Sequence, residues 1–449
     1  MSICAPSARR TFARGIHPPE RKGLAENSPI EVVAAPRKVH IPLLQHLGAP
    51  CQATVKPRQE VEPGDVVGDA TAPVAAPVHA SVRGKVERAT MVTLPNGRHV
   101  PAIPIAAAEQ QPLEGDALLG DIHGGEYPLS GVARYLPEAI RDAARAAGLV
   151  GLGGAAFPTH IKLAPREQTP IDTLLVNGCE CEPYLTADDQ LMQFAPRPIL
   201  AGALLAQRAT GAGRVVVGVE ANKPRAIRSL RQAAEGTEVE VAVLRSKYPQ
   251  GGEKQLIAAL LHRAVPTGKL PLDVGVVVLN VGTAAALARA VVRGRPLTHR
   301  VITLSGGGIR RPANLLVPLG ASVRHLVEHC GGLRDDAARI VAGGPMMGFT
   351  LGTLDTPVTK GTSGITVLSR REVRHAAETA CIRCGRCVEV CPMRLVPTKL
   401  GLAARSGNAE LARRHHVAAC IECGCCAYVC PAQLPLVQLI RLGKVLARP

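Results

Sequence analysis

Nine of the 14 cysteines in this 449-residue chain lie between positions 381 and 430, and eight of those form two copies of one pattern. The copies are CIRCGRCVEVCP at 381–392 and CIECGCCAYVCP at 420–431, each C-x2-C-x2-C-x3-C-P. Three thiolates spaced by two residues wrap one cubane cluster, and the fourth, four residues on, points away and reaches the neighbouring cluster. Cys381, Cys384, Cys387 and Cys430 are therefore assigned to one 4Fe–4S centre, and Cys420, Cys423, Cys426 and Cys391 to a second. Structural zinc also uses C-x2-C pairs but needs only two of them. Two repeated quartets, each closed by proline, favour iron–sulfur. Cys425 falls outside the repeat and reads as a packed bystander. Cys4, Cys51, Cys179, Cys181 and Cys330 are scattered, so no disulfide framework is expected.

Two adjacent cubanes carry one electron at a time and cannot accept a hydride. If the reductant is a nicotinamide, a flavin has to stand upstream, because it accepts electrons in pairs and releases them singly.

Composition narrows the field further. Aromatics are 2% and Trp is absent, so the cores are built from Ala, Val, Leu and Ile; stacking on single-stranded nucleic acid is excluded. The most apolar stretch, Val274 to Val292, is broken by Asn280 and Arg289, short of a membrane span. No apolar segment near residue 1 suggests secretion. The chain reads as soluble and cytoplasmic. Its net charge of +17 suits nucleic acid, an anionic lipid surface or an acidic partner, but the excess is spread along the chain and selects none of them.

The pattern of turns and apolar runs divides the chain. Residues 1–28 read as an extended basic arm. Residues 29–108 are short strands punctuated by Pro-Gly and Asn-Gly turns, a small all-β unit. The run GDVVGDA followed by APVHASVRGKV resembles the barrel-sandwich fold of lipoyl carriers, without the lysine that such carriers modify, so a structural role is expected. Residues 109–134 read as a linker. From 135 to 295, helical patterns alternate with buried-strand runs (DTLLVNG, RVVVGVE, VEVAVLR, DVGVVVLN), which argues an α/β domain around a parallel sheet. Residues 296–375 read as a small α+β module, and 376–449 as helical apart from the cysteine runs.

GLVGLGGAAFPTHIKL (148–163) is glycine-rich, which lets backbone approach a phosphate or a flat ring, and Lys162 offers a positive charge. Four segments then follow in order: GLGGAAFPTHIKL, NGCECEPYLTADD (177–189), KYPQGGEKQLI (247–257) and LNVGT (279–283). The series resembles the flavin- and NADH-binding subunit of respiratory complex I. It is still more similar to the RnfC subunit of the Rnf electron-transport complex, as are GIHPPE (15–20), IPLLQHLGAPC (41–51), APVHASVRGKV (76–86) and the double-cluster tail.

That resemblance implies a multidomain fold: a barrel-sandwich-like N-terminal domain, a Rossmann-like FMN/NADH domain, a small β-grasp-like α+β module and a helical two-cluster ferredoxin-type domain. It implies FMN contacts at Gly151, Gly153, Lys162, Asn177, Glu180, Tyr248, Gly251 and Asn280, and NADH contacts at Phe157, Glu182 and Glu253. A carboxylate accepts hydrogen bonds from both hydroxyls of a ribose, so NADH is expected over NADPH. Glu180 and Glu182 are expected to split between flavin and nucleotide. Ala156 stands where a glycine is usual.

The function implied is a peripheral subunit at the cytoplasmic face of the bacterial cell membrane. It passes electrons between NAD(H), FMN and two 4Fe–4S clusters, with ferredoxin involved indirectly. Its partners would be the other membrane-embedded and peripheral subunits of the same complex, which translocates ions; nucleic acid is not among them. The alternatives are a soluble flavo-iron–sulfur reductase, such as a cobalamin reductase, and a non-catalytic electron-transfer scaffold.

Overall fold

The computed structural model describes residues 10–448 except 128, 165–168 and 374–376. Cys4 and the first nine residues of the arm lie outside the described residues.

The all-β unit is antiparallel throughout. Strands Lys38–Pro42, His99–Ala107, Gly84–Val86 and Glu60–Val61 form one sheet in that order, with Thr90–Thr93 beside His99–Ala107. Gln52–Ala53, Val66–Asp69 and Val78–His79 form a smaller one. Alternate side chains of a strand face opposite ways, and the inward set Val39, Ile41, Val67, Val78 and Ile105 is fully buried.

The four valine-rich runs are four parallel strands in the order Glu240–Leu244, Arg214–Glu220, Thr173–Gly178, Val276–Asn280. Continuous apolar strands need cover on both faces, and helices Pro196–Thr210, Pro224–Ala233, Glu253–Leu261 and Val281–Arg293 supply it. The chain runs outward from Thr173–Gly178 through two strands and then returns to its other side. That reversal places a switch point between Thr173–Gly178 and Val276–Asn280, where open α/β sheets form a crevice at their carboxyl ends.

A six-stranded mixed sheet holds Ala313–Pro318, His299–Ser305, Gly364–Ser369, Ala337–Ala342 and Phe349–Thr350 in that order, and Ile30–Val32 pairs in parallel on its outer edge. Residues 30–32 thus leave the all-β unit that their position in the chain suggested and complete a sheet almost 300 residues away. The stretch read as a linker holds the helix Gly115–His123. Its Leu119 and Ile122, with Tyr127 beyond, are buried in the main core, which accounts for structure in a segment whose glycines and short apolar spacing suggested none.

The carboxyl-terminal region is helical and internally repeated. Helices Arg386–Glu389 and Cys425–Tyr428 each follow a glycine in the left-handed region, Gly385 and Gly424. Arg383 and Glu422, both at φ 57, occupy matching positions. Helices Pro397–Arg405 and Leu436–Leu446 pack together behind the motifs through Leu400, Leu436 and Ile440.

Candidate functional site

The crevice at the switch point is built from residues at two strand ends. Asn177 and Asn280 are register neighbours on adjacent parallel strands. Asn280 Oδ1 accepts from the Gly282 amide at 2.8 Å and so caps the helix Val281–Arg293, while its Nδ2 donates to Asp188 at 2.6 Å. Asn177 Nδ2 donates to the Gly251 carbonyl at 2.8 Å.

The glycine loop arches over these ends. The Gly151 amide donates to the Phe157 carbonyl at 2.8 Å, closing a hairpin whose tip, Gly153–Ala155, is exposed. The Leu152 amide donates to Thr283 Oγ1 at 2.9 Å. A Cβ on Gly153 would stand 3.1 Å from Asn280 Cβ, tighter than an ordinary contact, so glycine lets the loop lie close on the strand end. Ala156 takes φ 51, a conformation that costs an L-residue about 1–2 kcal/mol and explains why glycine suits the position. Phe157 is half-buried at the base of the loop. Lys162 Nζ donates to Glu253 at 2.7 Å and to the Val278 carbonyl at 2.9 Å; the two residues assigned to different ligands form one half-buried ion pair.

The acidic segment 177–189 is held from behind by two buried lysines. Lys22 Nζ donates to the carbonyls of Glu180, Glu182 and Leu185, and Lys223 Nζ to the carbonyl of Cys179. With its carbonyls drawn to one side, the segment sends its two carboxylates in opposite directions. Glu180, itself at φ 45, accepts from the Asp188 and Asp189 amides at the start of helix Ala187–Phe194. Glu182 accepts from the Met346 amide at 3.1 Å and the Met347 amide at 2.9 Å. Its carboxylate is thus engaged within the protein, and burial pushes it up to about 7, against the pull of those amides. Burial, and then the neighbouring Glu180, also raise Asp188 to about 7; burial and Glu180 raise Asp189 to about 6. Asp188 and Asp189 join the site unforeseen; their only signal in the sequence is the closing ADD of a segment already singled out. Cys179 and Cys181 are packed behind Gly251, and burial raises both thiols well above their ordinary range.

Tyr248 turns away from the crevice. Its hydroxyl donates to the Cys423 carbonyl at 2.7 Å and lies 3.4 Å from Glu182 Oε1. Tyr248, Ile16, Cys423 and Cys425 form one buried cluster, against which Cys181, Met346 and Ile421 pack. The arm passes through this seam. Ile16 exchanges backbone hydrogen bonds with Tyr248, the Gly15 amide donates to the Val390 carbonyl at 3.0 Å, and Arg14 donates to the Val388 carbonyl at 2.8 Å. The second cysteine motif is thus fastened directly to the turn carrying Tyr248 and Gly251, and the first is tied to the same turn through the arm.

Cys391, Cys420, Cys423 and Cys426 line one cavity with Leu395, Leu400, Val437 and Ile440. Cys391, contributed by the first motif, sits near enough to raise the thiols of Cys420 and Cys426 after the larger effect of burial. Cys430, from the second motif, lies in the same way beside Cys387 of the first, with Cys384 also near. Four thiols around the wall of one largely apolar cavity are the donor set that a 4Fe–4S cluster takes. Lys444 donates to the Cys420 carbonyl, and Lys444 and Arg441 both pair with Glu422, pinning the second motif to the last helix. Cys381 and Cys384 are exposed, whereas Cys423 is buried.

Comparison with known proteins agrees with this layout. Residues 10–110 match the RnfC barrel sandwich hybrid domain, 144–289 the Nuo51 FMN-binding domain, 301–350 the SLBB domain and 380–434 a 4Fe–4S dicluster domain. FMN, two 4Fe–4S clusters and NADH are the cofactors these domains and relatives support. A chain of an NAD+-reducing NiFe hydrogenase in its H2-reduced state has a similar fold, with a TM-score of 0.50 at 21% identity, covering 72% of this chain and 65% of that one. The chain is 41% identical to its counterpart in the proton-translocating ferredoxin:NAD(+) oxidoreductase complex of Clostridium ljungdahlii, over 91% of this chain and 87% of that one. It is 41% identical to the counterpart in the Na(+)-translocating complex of Acetobacterium woodii, over 87% and 86%. It is 40% identical to the counterpart in the ion-translocating oxidoreductase complex of Rhodobacter capsulatus, over 96% and 82%. With such identity over nearly its whole length, the chain belongs to the RnfC family, whose members are subunits of ion-translocating ferredoxin:NAD oxidoreductase complexes.

Proposed function

We propose that this chain is the peripheral, NADH-linked subunit of an Rnf-type complex at the cytoplasmic face of the cell membrane, and that its electron path runs from the crevice to the second cysteine motif, then to the first, then outward to another subunit. The observation that carries the order is the Tyr248–Cys423 hydrogen bond of 2.7 Å. It binds the second motif to the crevice wall, while Cys381 and Cys384 of the first are exposed.

Bound FMN supplies the exchange between paired and single electrons, and the clusters carry the single ones. The chain's own residues hold these groups. Gly151 and Gly153 give the loop its close approach, and Asn177 and Asn280 offer polar side chains at the strand ends, where a flavin's polar edge fits. Lys162 is placed for a phosphate, with Glu253 as its counter-charge. Phe157 lies at the base of the loop, where a nicotinamide enters. Glu180 positions Asp188 and Asp189 through their amides. We place Tyr248 and Glu182 in the seam between crevice and cluster, which departs from a direct ribose contact for Glu182: its acceptors already serve two amides. Buried apolar walls around Cys420 and Cys426 keep water from the second motif. No helix among the described residues is long and apolar enough to cross a membrane; we place attachment at other subunits or at the basic surface.

Anaerobic titration of the reconstituted chain with NADH tests the reading. Flavin bleaching accompanied by cluster EPR signals is expected. Iron and sulfide without FMN binding or NADH oxidation would overturn it.

A further inference from the structure

The two cysteine motifs are copies of each other offset by 39 positions, yet their outer faces are treated differently by the rest of the chain. On the second copy, Ile421 packs into the buried cluster with Tyr248, Ile16 and Met346, and Cys425 is fully buried there. The equivalent residues of the first copy are Ile382 and Arg386. Ile382 is 67% exposed, and residues 377–386 form an unbroken exposed run. The side chain that anchors one cluster face to the crevice is thus bare on the other.

The charges differ as well. Where the second copy has Glu422, paired with Arg441 and Lys444, the first has Arg383; where it has Cys425, the first has Arg386. Among the described residues neither arginine takes part in an ion pair. Glu389 is the acidic side chain on the same short helix, and Glu378 nearby pairs with Arg405. An apolar centre with a cationic surround, beside the exposed cysteines of a redox cluster, matches the small, electrostatically steered contacts of electron-transfer partners.

We infer that the face formed by Ile382, Arg383 and Arg386 is the docking surface for a second redox protein, one that presents Asp and Glu side chains around its own one-electron centre. This rests on the function proposed above and adds the partner's chemistry and its place of contact. The face repeats, toward an outside protein, the contact that Ile421 makes inside the chain, with attraction of opposite charges replacing the covalent tether.

The test uses the full chain, loaded with FMN and clusters, and an acidic two-cluster ferredoxin as probe. Binding is measured calorimetrically at low and high salt, and NAD+ reduction by the dithionite-reduced probe is followed alongside. The parent should bind more weakly as salt rises. Arg383→Glu with Arg386→Glu should weaken binding by about tenfold or more at low salt, remove most of the salt dependence and lower kcat/KM for the probe to match. Arg383→Glu has a precedent in Glu422 at the same φ, so the fold is expected to persist, and NADH should bleach the flavin as in the parent. Arg383→Lys with Arg386→Lys should retain binding. Unchanged affinity and salt dependence in the charge-reversed variant would overturn the inference while leaving the proposed function intact. So would loss of binding to phosphatidylserine vesicles with the probe affinity unaltered, which would assign the face to the membrane. Absence of flavin bleaching in the parent would instead overturn the function, and with it the basis of this proposal.

Discussion

The hydroxyl of Tyr248 donates to the backbone carbonyl of Cys423 at 2.7 Å, and both residues are buried. One hydrogen bond thereby links the crevice wall to the second cysteine motif. Tyr248→Phe keeps the ring and removes the donor, leaving a buried carbonyl unpaired at a cost of about 1–3 kcal/mol. The variant should unfold at a lower denaturant concentration. In stopped-flow mixing with NADH, cluster reduction should slow while flavin bleaching keeps the parental rate.

Cys391 lines one cavity with Cys420, Cys423 and Cys426 of the other motif, and Cys430 lies beside Cys387, the neighbours expected of the proposed crossed ligation. Cys391→Ser should therefore reproduce the EPR change of Cys423→Ser, and Cys430→Ser that of Cys384→Ser, each with roughly half the iron retained. Pairing of Cys391→Ser with Cys384→Ser would contradict the crossed arrangement.

Asp188 is held at about 7 by burial and by Glu180 beside it, whereas an unfolded Asp titrates near 4 (about 3.9). Between those values the folded chain keeps a proton that the unfolded chain has lost, so this group's contribution to stability falls as pH rises through the window and stays low above it. Asp188→Asn removes the buried charge and still accepts from Asn280. Its gain in Tm over the parent should grow from pH 5 to 7 and level off above, as scanning calorimetry of the two proteins at each pH would show. A gain independent of pH would count against a buried charge at this position.

Ala156 sits at φ 51, and its methyl packs only partly buried against the main core. Ala156→Gly relieves the left-handed backbone at some cost in chain entropy, for a net gain of roughly 0.5–1 kcal/mol. Chemical denaturation monitored by circular dichroism should show the higher midpoint.

Local spacing made much of this molecule legible. The cysteine quartets, the four parallel strands and the glycine loop each declare themselves within a dozen residues, because thiolate spacing, strand burial and tight turns are local demands on a chain. What stayed hidden depends on contacts between distant segments. Nothing near residue 22 says that its lysine will gather three carbonyls from 180–185, nor that Ile16 will lie between Tyr248 and Val390. Lys360, buried and donating to the carbonyls of Pro77 and Gly148, joins three parts of the fold with no pattern of its own. Glu182 shows the same limit: two residues apart on a strand it would share a face with Glu180, but Glu180 at φ 45 breaks the strand, and the amides of Met346 and Met347 that donate to Glu182 lie over 160 residues on.

The order of the electron path is tested most directly by removing one cluster at a time. In Cys423→Ser, the cluster held by Cys381, Cys384 and Cys387 should remain reducible by dithionite yet stay oxidised when NADH reduces the flavin. In Cys384→Ser, the cluster held by Cys420, Cys423 and Cys426 should still be reduced by NADH at the parental rate, as freeze-quench EPR would record. Equal reduction by NADH of the remaining cluster in both variants would contradict a path that enters through Cys423.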